Sequence, residues 1–300
     1  MEPVKKAQFI GHNAAVYSIC SFNDTDFFLS SGGDGWIVEW NINNPENGRL
    51  LAKTDSNIFS MLYLKDRNWL LAGNMYGGLH WIDLGTGINF KSVLQHKKGV
   101  FAIFRLNENE LLSLGGDGIL TKWDIDKCRA TESVELSGKS LRSIARHTNR
   151  NILAVAASDS TIYLLNAENL ELIDKMENAH DNSVFSICFS PDGKYLLSGG
   201  RDAHLRIRLC ENNFEELPTQ AAHLFTVNDI TYHPNGKYFA SASRDKTIRI
   251  WDAKSFALLK VIDSIRHAGH LKSVNKLLWT ETTLLSCSDD RSIIAWEINV

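Results

Sequence analysis

Long apolar runs are missing from this chain. No stretch nears the ~18 consecutive apolar residues that a membrane-spanning helix needs, so no membrane partner is expected. Cysteine is scarce: the five are Cys20, Cys128, Cys188, Cys210 and Cys287. They are odd in number and show no Cys-x-x-Cys spacing, which excludes a zinc ribbon and a disulfide framework. Reduced thiols and a cytoplasmic location are the expectation. Five prolines leave no room for long Pro-rich linkers. Charge of one sign is also lacking: Lys+Arg number 32 and Asp+Glu 35, for a net −3. The basic footprint of a nucleic-acid binder is absent, so no nucleic-acid partner is expected. The opening MEPVKKAQFIG has no apolar h-region and does not read as a secretory signal. No long window carries a helical period. Catalytic motifs are missing too. There is no Gly-x-Ser-x-Gly elbow, no His-Glu-x-x-His and no phosphate-binding Gly-rich loop, so neither an enzyme nor a cofactor or metal site is expected.

What the chain does have is a repeat. His12, His96, His180, His223 and His270 each precede a strand-like apolar run, at intervals of 84, 84, 43 and 47 residues. The first two intervals each hide a unit without its His, which makes seven units of about 42 residues. A second column agrees: SSGGDGWIVEW, SLGGDGILTKW, VAASDSTIYLL, SGGRDAHLRIR, SASRDKTIRIW and SCSDDRSIIAW align without gaps on Asp34, Asp117, Asp159, Asp202, Asp245 and Asp290. A seventh segment, LAGNMYGGLHW, aligns with Met75 in that column and Trp81 six residues on. Each unit repeats short strands around a turn, clearest in Pro191-Asp192-Gly193 and Pro234-Asn235-Gly236, and a second turn centred on the Asp column. That grammar predicts four antiparallel strands per unit, an all-β chain and the blade of a propeller.

With Gly11-His12, Gly269-His270, Trp123-Asp124 and Trp251-Asp252 in phase, the chain resembles the WD-repeat β-propeller family over essentially its whole length. The resemblance implies seven blades and, in each intact blade, a hydrogen-bonded tetrad. The matching sets are His12, Ser30, Asp34, Trp40; His96, Ser113, Asp117, Trp123; His223, Ser241, Asp245, Trp251; and His270, Ser286, Asp290, Trp296. Repeat five keeps His180, Ser198 and Asp202, with Arg208 for the Trp; repeat two keeps only Trp81 and repeat four only Asp159. A set recurring once per blade is a strut rather than a hydrolase triad, which needs one cleft. The last unit stops after its third strand, and residues 270–300 with residues 1–11 make up one repeat of about 42. The N-terminal segment is therefore expected to supply the last blade's fourth strand, closing residues 1–300 into one domain.

The family pattern also implies ligand-facing columns at the wide mouth of the propeller. One contains Tyr17, Phe59, Phe101, Arg142, Phe185, Asn228 and Asn275. A second, two residues earlier, contains Ala15, Asn57, Gly99, Ser140, Ser183, Thr226 and Ser273. A third contains Gly33, Asn74, Gly116, Ser158, Arg201, Arg244 and Asp289. Aromatic residues beside arginines are the usual makings of a binding hot spot, and the glycines are expected to leave room above Tyr17 and Phe101. The function expected is a stand-alone, monomeric, non-catalytic scaffold that binds a peptide or loop of another protein, one carrying an acidic group beside an apolar side chain. The alternative is a small-molecule-binding or enzymatic propeller.

Overall fold

The computed structural model describes residues 2–24 and 26–299. Its strands form seven antiparallel sheets. Sheet 1 runs Val16–Phe22, Phe27–Gly32, Trp36–Asn41 and Asn44–Lys53. The first strands of sheets 2 to 7 are Ile58–Leu64, Val100–Arg105, Leu141–Arg146, Val184–Phe189, Val227–Tyr232 and Val274–Trp279. By proximity the chain divides into two compact units. Phe9–Arg142 holds sheets 1 to 3, and Met1–Gln8 with Ser143–Val300 holds sheets 5 to 7 and most of sheet 4.

Alternation explains these strands. VYSICSF and VFSICF bury Val16, Ser18, Ile19 and Val184, Ser186, Ile187 with Tyr17, Cys20, Phe185 and Cys188 half-buried, the two-residue period of a pleated strand broken once where the pairing register shifts. Second strands such as FFLSSG and ELLSLG are buried almost throughout, because both faces of a central strand are covered. Fourth strands such as INFKSVL and LIDKM are mostly exposed. Within Phe9–Arg142 one core gathers Leu29, Ile37, Ile58, Leu70, Ala72 and Ile82, and another gathers Leu64, Leu71, Trp81, Leu111 and Trp123. In the other unit Leu197, Val227, Phe239 and Trp251 pack together, as do Ile250, Val274, Leu284 and Trp296.

The expected closure is present. Glu2–Ile10 lies beside Ser292–Asn299 as the outer strand of sheet 7. Lys5 Nζ donates to Ala268 O at 2.9 Å, and Glu2 pairs with Lys260 at 2.7 Å. A sheet edge is covered that would otherwise be open to another chain.

Two details depart from the repeat pattern. The fourth strand of sheet 5 is split into Glu215–Glu216 and Gln220–Ala221, both paired with His204–Leu209. Pro218 lies in the gap, and a proline has no N–H for the ladder. Sheet 2 is one residue out of phase with the gapless alignment. Trp40 pairs with Phe28, the second residue of its strand, but the residue paired with the equivalent Leu70 is Ile82. Trp81 pairs instead with Leu71 and packs edge-on against Trp123 at 5.2 Å. The left-handed turn residue of sheet 2 is Gly77, which puts Tyr76, not Met75, in the Asp column. Repeat two therefore keeps none of the four tetrad residues. Buried Ala72 and Ile82 stand where other sheets have Ser and Trp.

Candidate interaction site

The strut residues come together as the family pattern implies. In sheet 6, Trp251 Nε1 donates to Ser241 Oγ at 2.9 Å, Ser241 Oγ lies 2.8 Å from His223 Nε2, and His223 Nδ1 lies 2.9 Å from Asp245. Burial lowers the His223 pKa even against the pull of Asp245, so the neutral ring is the form to consider. Its Nδ1–H donates to the carboxylate, Nε2 accepts from the Ser hydroxyl, and the hydroxyl accepts from the indole. Every group in the chain is thus satisfied in one direction. The same chain forms at His12–Ser30–Trp40, His96–Ser113–Trp123 and His270–Ser286–Trp296, with Ser–His distances of 2.7, 2.7 and 2.9 Å. Each carboxylate also anchors its turn: Asp34, Asp117, Asp245 and Asp290 accept the N–H of the residue after the His and of the residue two beyond themselves.

Sheet 5 completes its strut with an arginine. Arg208 is buried and donates to Ser198 Oγ at 3.2 Å, the position an indole N–H occupies elsewhere. Its remaining donors go to Ala179 O and to Glu216. In sheet 4, Asp159 has a partner that the sequence comparison missed, the Tyr163 hydroxyl at 2.7 Å. In sheet 2, Asn74 Oδ1 takes the turn N–H groups of Tyr76 and Gly78 at 3.0 and 2.8 Å.

The mouth columns have a backbone cause. The pairing of first and second strands slips by one residue between Val16 and Ser18, Ile58 and Ser60, Val100 and Ala102, Val184 and Ser186, Val227 and Asp229, and Val274 and Lys276. The residues caught in these bulges are Tyr17, Phe59, Phe101, Phe185, Asn228 and Asn275. A bulged residue is unpaired in the ladder and its side chain is re-aimed. Each bulge is fastened by a backbone bond from the third column to the second. Gly33 N donates to Ala15 O, Gly116 N to Gly99 O, Arg201 N to Ser183 O, Arg244 N to Thr226 O and Asp289 N to Ser273 O, all at 2.8–3.0 Å. In sheet 2 the donor is Met75 N to Asn57 O, so Met75 rather than Asn74 belongs to the third column.

Within Phe9–Arg142 the bulge residues form one continuous stack. Tyr17 meets Phe59 edge-on at 5.4 Å, Phe59 lies parallel to Phe101 at 5.4 Å and 16°, and the Arg142 guanidinium sits 4.2 Å over the Phe101 ring. Burial lowers the Arg142 pKa, yet a guanidinium stays charged and the ring face attracts it. The neighbouring glycines do not leave the room expected of them. A Cβ on Gly99 would come within 3.0 Å of the Phe59 ring, and one on Gly116 within 2.9 Å of Phe101. The rings themselves fill that space, and glycine is what lets them lie flat. All four side chains are half-buried, so each keeps an exposed edge.

The other unit fills the same columns differently. Asn228 Nδ2 donates to Ser273 Oγ at 2.9 Å and Val274 O at 2.8 Å, and Asn275 Nδ2 donates to Asp289 at 2.8 Å. These amides are tied down as links. Phe185 is half-buried in its bulge, while Arg201 and Arg244 are exposed. The sequence comparison passed over three exposed apolar residues here, Leu224, Phe225 and Leu271, at 79%, 58% and 68% exposure. Two of them directly follow a strut His, which was the signal available. It also missed a polar link, in which Asp229 accepts from Lys276 Nζ at 2.8 Å and from Leu277 N at 2.9 Å. Among the described residues no group of three or more His, Cys, Asp or Glu is placed to hold a metal ion, and no helix is long and apolar enough to cross a membrane.

Comparisons with known proteins agree with this geometry. The model of the family described as WD40, "WD domain, G-beta repeat", matches residues 3–41, 172–208 and 214–252. The chain is 24% identical to U3 small nucleolar RNA-associated protein 21 of Saccharomyces cerevisiae over 56% of its own length and 18% of that protein. It is 21% identical to Actin-interacting protein 1 of Caenorhabditis elegans over 96% of its own length and 47% of that protein. It is 28% identical to Protein lethal(2)denticleless of Drosophila melanogaster over 72% of its own length and 29% of that protein. The chain thus spans less than half the length of each of these relatives. The crystal structure of the WD40 β-propeller domain of Doa1 superposes on 99% of the chain, and on 97% of that chain, with a TM-score of 0.87 at 18% identity. With repeats matched in three stretches, five His–Ser–Asp struts and seven sheets that follow a known propeller throughout, the chain matches the WD40-repeat β-propeller family.

Proposed function

We propose that this propeller is a non-catalytic interaction scaffold and that its main partner site is the bulge stack of Tyr17, Phe59, Phe101 and Arg142. One observation carries the reading: three aromatic side chains at bulged positions and the guanidinium of Arg142 form a continuous half-buried array. A pre-packed aromatic row loses little conformational freedom on binding, and Arg142 adds a charge already aimed by its stacking. Propellers of this family are typically protein-interaction scaffolds, which supports the same assignment. The ligand chemistry that fits is a peptide or loop presenting an apolar side chain to the rings and an acidic group to Arg142. Phe185, Arg201 and Arg244 are candidate contacts of the second unit. The protein acts as a monomer in a cytoplasmic, thiol-reducing compartment on this reading, in keeping with its five free cysteines.

The test is affinity capture with the chain and two variants. Phe101→Ala should weaken a retained partner by about thirtyfold, the equivalent of ~2 kcal/mol for an aromatic anchor. Arg244→Ala should mainly slow association and flatten its salt dependence. Full retention of every partner by a folded Phe59→Ala, Phe101→Ala double variant overturns the site and leaves the fold assignment intact.

A further inference from the structure

Sheets 5 and 6 carry the same turn twice. Ser190-Pro191-Asp192-Gly193-Lys194-Tyr195 is followed 43 residues later by His233-Pro234-Asn235-Gly236-Lys237-Tyr238. In each, the glycine has a positive φ, 74° and 71°, and its N–H closes the turn on the residue three earlier at 2.8 and 2.9 Å. The third residue then caps the lysine N–H: Asp192 takes that of Lys194 and Asn235 that of Lys237. The two turns are neighbours. A Cβ on Gly236 would lie 3.6 Å from the Pro191 ring. Between them opens a cavity of about 670 Å³, walled by Tyr195, Tyr232 and Tyr238 and rimmed by Lys194, Lys237 and Lys254. That volume lies in the range of ligand sites.

The polar groups of this cavity are unevenly committed. Its two carboxylates are occupied: Asp192 by the Ser190 hydroxyl and Lys194 N, Asp252 by Lys254 N, Ser255 N and the Ser255 hydroxyl. Among the described residues the ammonium groups of Lys237 and Lys254 have no acceptor, and Lys194 reaches Asp192 only at 3.6 Å. The Tyr232 hydroxyl is buried and has no hydrogen-bond partner. Burial also pushes its pKa up, so it remains a donor. The hydroxyl itself has almost no accessible surface, so it is the ring of Tyr232 that joins the cavity wall. Free cations and aromatic walls call for the same ligand chemistry, an oxyanion carried beside apolar surface.

We propose that this cavity binds an acidic segment of another polypeptide, with a carboxylate or phosphate oxygen held by Lys237 and Lys254. The tyrosine walls pack the neighbouring side chain, as aromatic residues do at protein hot spots. The site is independent of the bulge stack and uses none of its residues.

Three blocked pentapeptides, Ala-Leu-X-Leu-Ala with X as Glu, phosphoserine or Gln, separate the possibilities in calorimetric titrations of the full chain. The Glu or phosphoserine peptide should saturate, and the Gln peptide should bind at least ~10-fold more weakly. Which acid binds more tightly tells carboxylate from phosphate as the source. The double variant Lys237→Glu, Lys254→Glu alters only exposed side chains and should lose at least ~10-fold for the acidic peptides. Equal affinity for the Gln peptide overturns the proposal, as does undiminished binding by the folded double lysine variant or no saturation by any peptide at ~5 mM. Inorganic phosphate or anionic vesicles that bind as tightly as the best peptide, through the same lysines, would overturn the assignment to a polypeptide.

Discussion

Blade 6 and blade 2 are built on the same four-strand plan and held by different chemistry. In blade 6 a carboxylate, an imidazole, a hydroxyl and an indole form one directed chain from Asp245 to Trp251. In blade 2 the same positions hold Tyr76, Thr54, Ala72 and Ile82, and the turn N–H groups are taken by Asn74 instead. The strand geometry is indifferent to the change because two separate needs are met in both. The turn N–H groups have an acceptor, and the space beneath the third strand is filled. Blade 5 shows the intermediate case, where Arg208 supplies the donor but brings a charge that Glu216 must balance. The strut is thus a replaceable device, costly to break only where it has been built. Breaking one partner strands the others in a buried setting, whereas a blade without the strut has nothing to strand.

The largest effect comes from removing residues 1–10. The deletion strips the strand beside Ser292–Asn299, and it also removes Phe9, buried against Phe28 and Trp40 at 5.0 and 5.6 Å. An open edge and a core cavity together should exhaust most of the ~5–15 kcal/mol that a domain typically has. Loss of a cooperative melt or aggregation on a sizing column is the expected outcome. An unchanged melt would mean that the outer strand of blade 7 is dispensable.

Next comes the direct comparison of struts. Asp245→Ala should cost about 1–3 kcal/mol, since it leaves His223, Leu224 N and Thr247 N without their acceptor. Asp159→Ala should cost less, because its blade has Val155 and Leu165 in place of Ser and Trp, so no His–Ser–Trp chain hangs on the carboxylate. Equal shifts of the denaturant midpoint for the two variants would show that the His–Ser–Trp chain adds nothing to the turn cap.

Acid should weaken the struts in two steps. Burial lowers His96, His180 and His223 in the folded protein, the neighbouring carboxylates notwithstanding. The unfolded chain therefore takes up protons first, and stability should start to fall as pH drops through the ordinary histidine value of ~6.5. A second loss follows at lower pH. Burial alone would raise Asp202, Asp245 and Asp290, but hydrogen bonds from His and backbone N–H groups outweigh it and hold them far below the ordinary range. Their contribution is complete above the unfolded value of ~3.9 and is lost beneath it. Melting temperatures measured from pH 7.5 to 4.5 should decline; a flat profile would mean that the strut histidines are charged in the folded state.

Much of this architecture was legible in the sequence, and the failures have physical causes. The His, Ser, Asp and Trp columns gave the blade number, the closure by the N-terminal strand and four complete struts, because a tetrad fixes residue types at fixed spacing. Blade 2 slipped by one residue because a tryptophan is a conspicuous marker and Trp81 stands next to the true column. The shift surfaces only in pairing register, where a one-residue slip moves a side chain to the other face. The mouth columns came from family pattern, but the bulge that creates them leaves no residue signature, and the role of the glycines was misread for the same reason. Asp229 with Lys276 and the stranded Tyr232 hydroxyl depend on contacts between separate strands, about which spacing along the chain says little, whereas the Tyr163–Asp159 bond is local and was missed because Tyr163 is not one of the tetrad residue types.

The smallest expected effect sharpens the comparison most, since it concerns two tryptophans alike in sequence and burial. Trp251 Nε1 donates to Ser241, whereas Trp81 Nε1 is buried with no partner among the described residues. Replacing an indole by a phenyl ring removes that donor and some volume in both cases. At Trp251 the change also leaves Ser241 Oγ short of a donor, so Trp251→Phe should cost the lost packing and about 1 kcal/mol more for the hydrogen bond. At Trp81 the buried N–H is already a liability, and losing it offsets part of the packing loss. Trp81→Phe should therefore be milder than Trp251→Phe by about 1 kcal/mol or more in denaturant melts. A Trp81→Phe variant as damaged as Trp251→Phe would mean that Trp81 has a polar partner after all and that the register assigned to blade 2 is wrong.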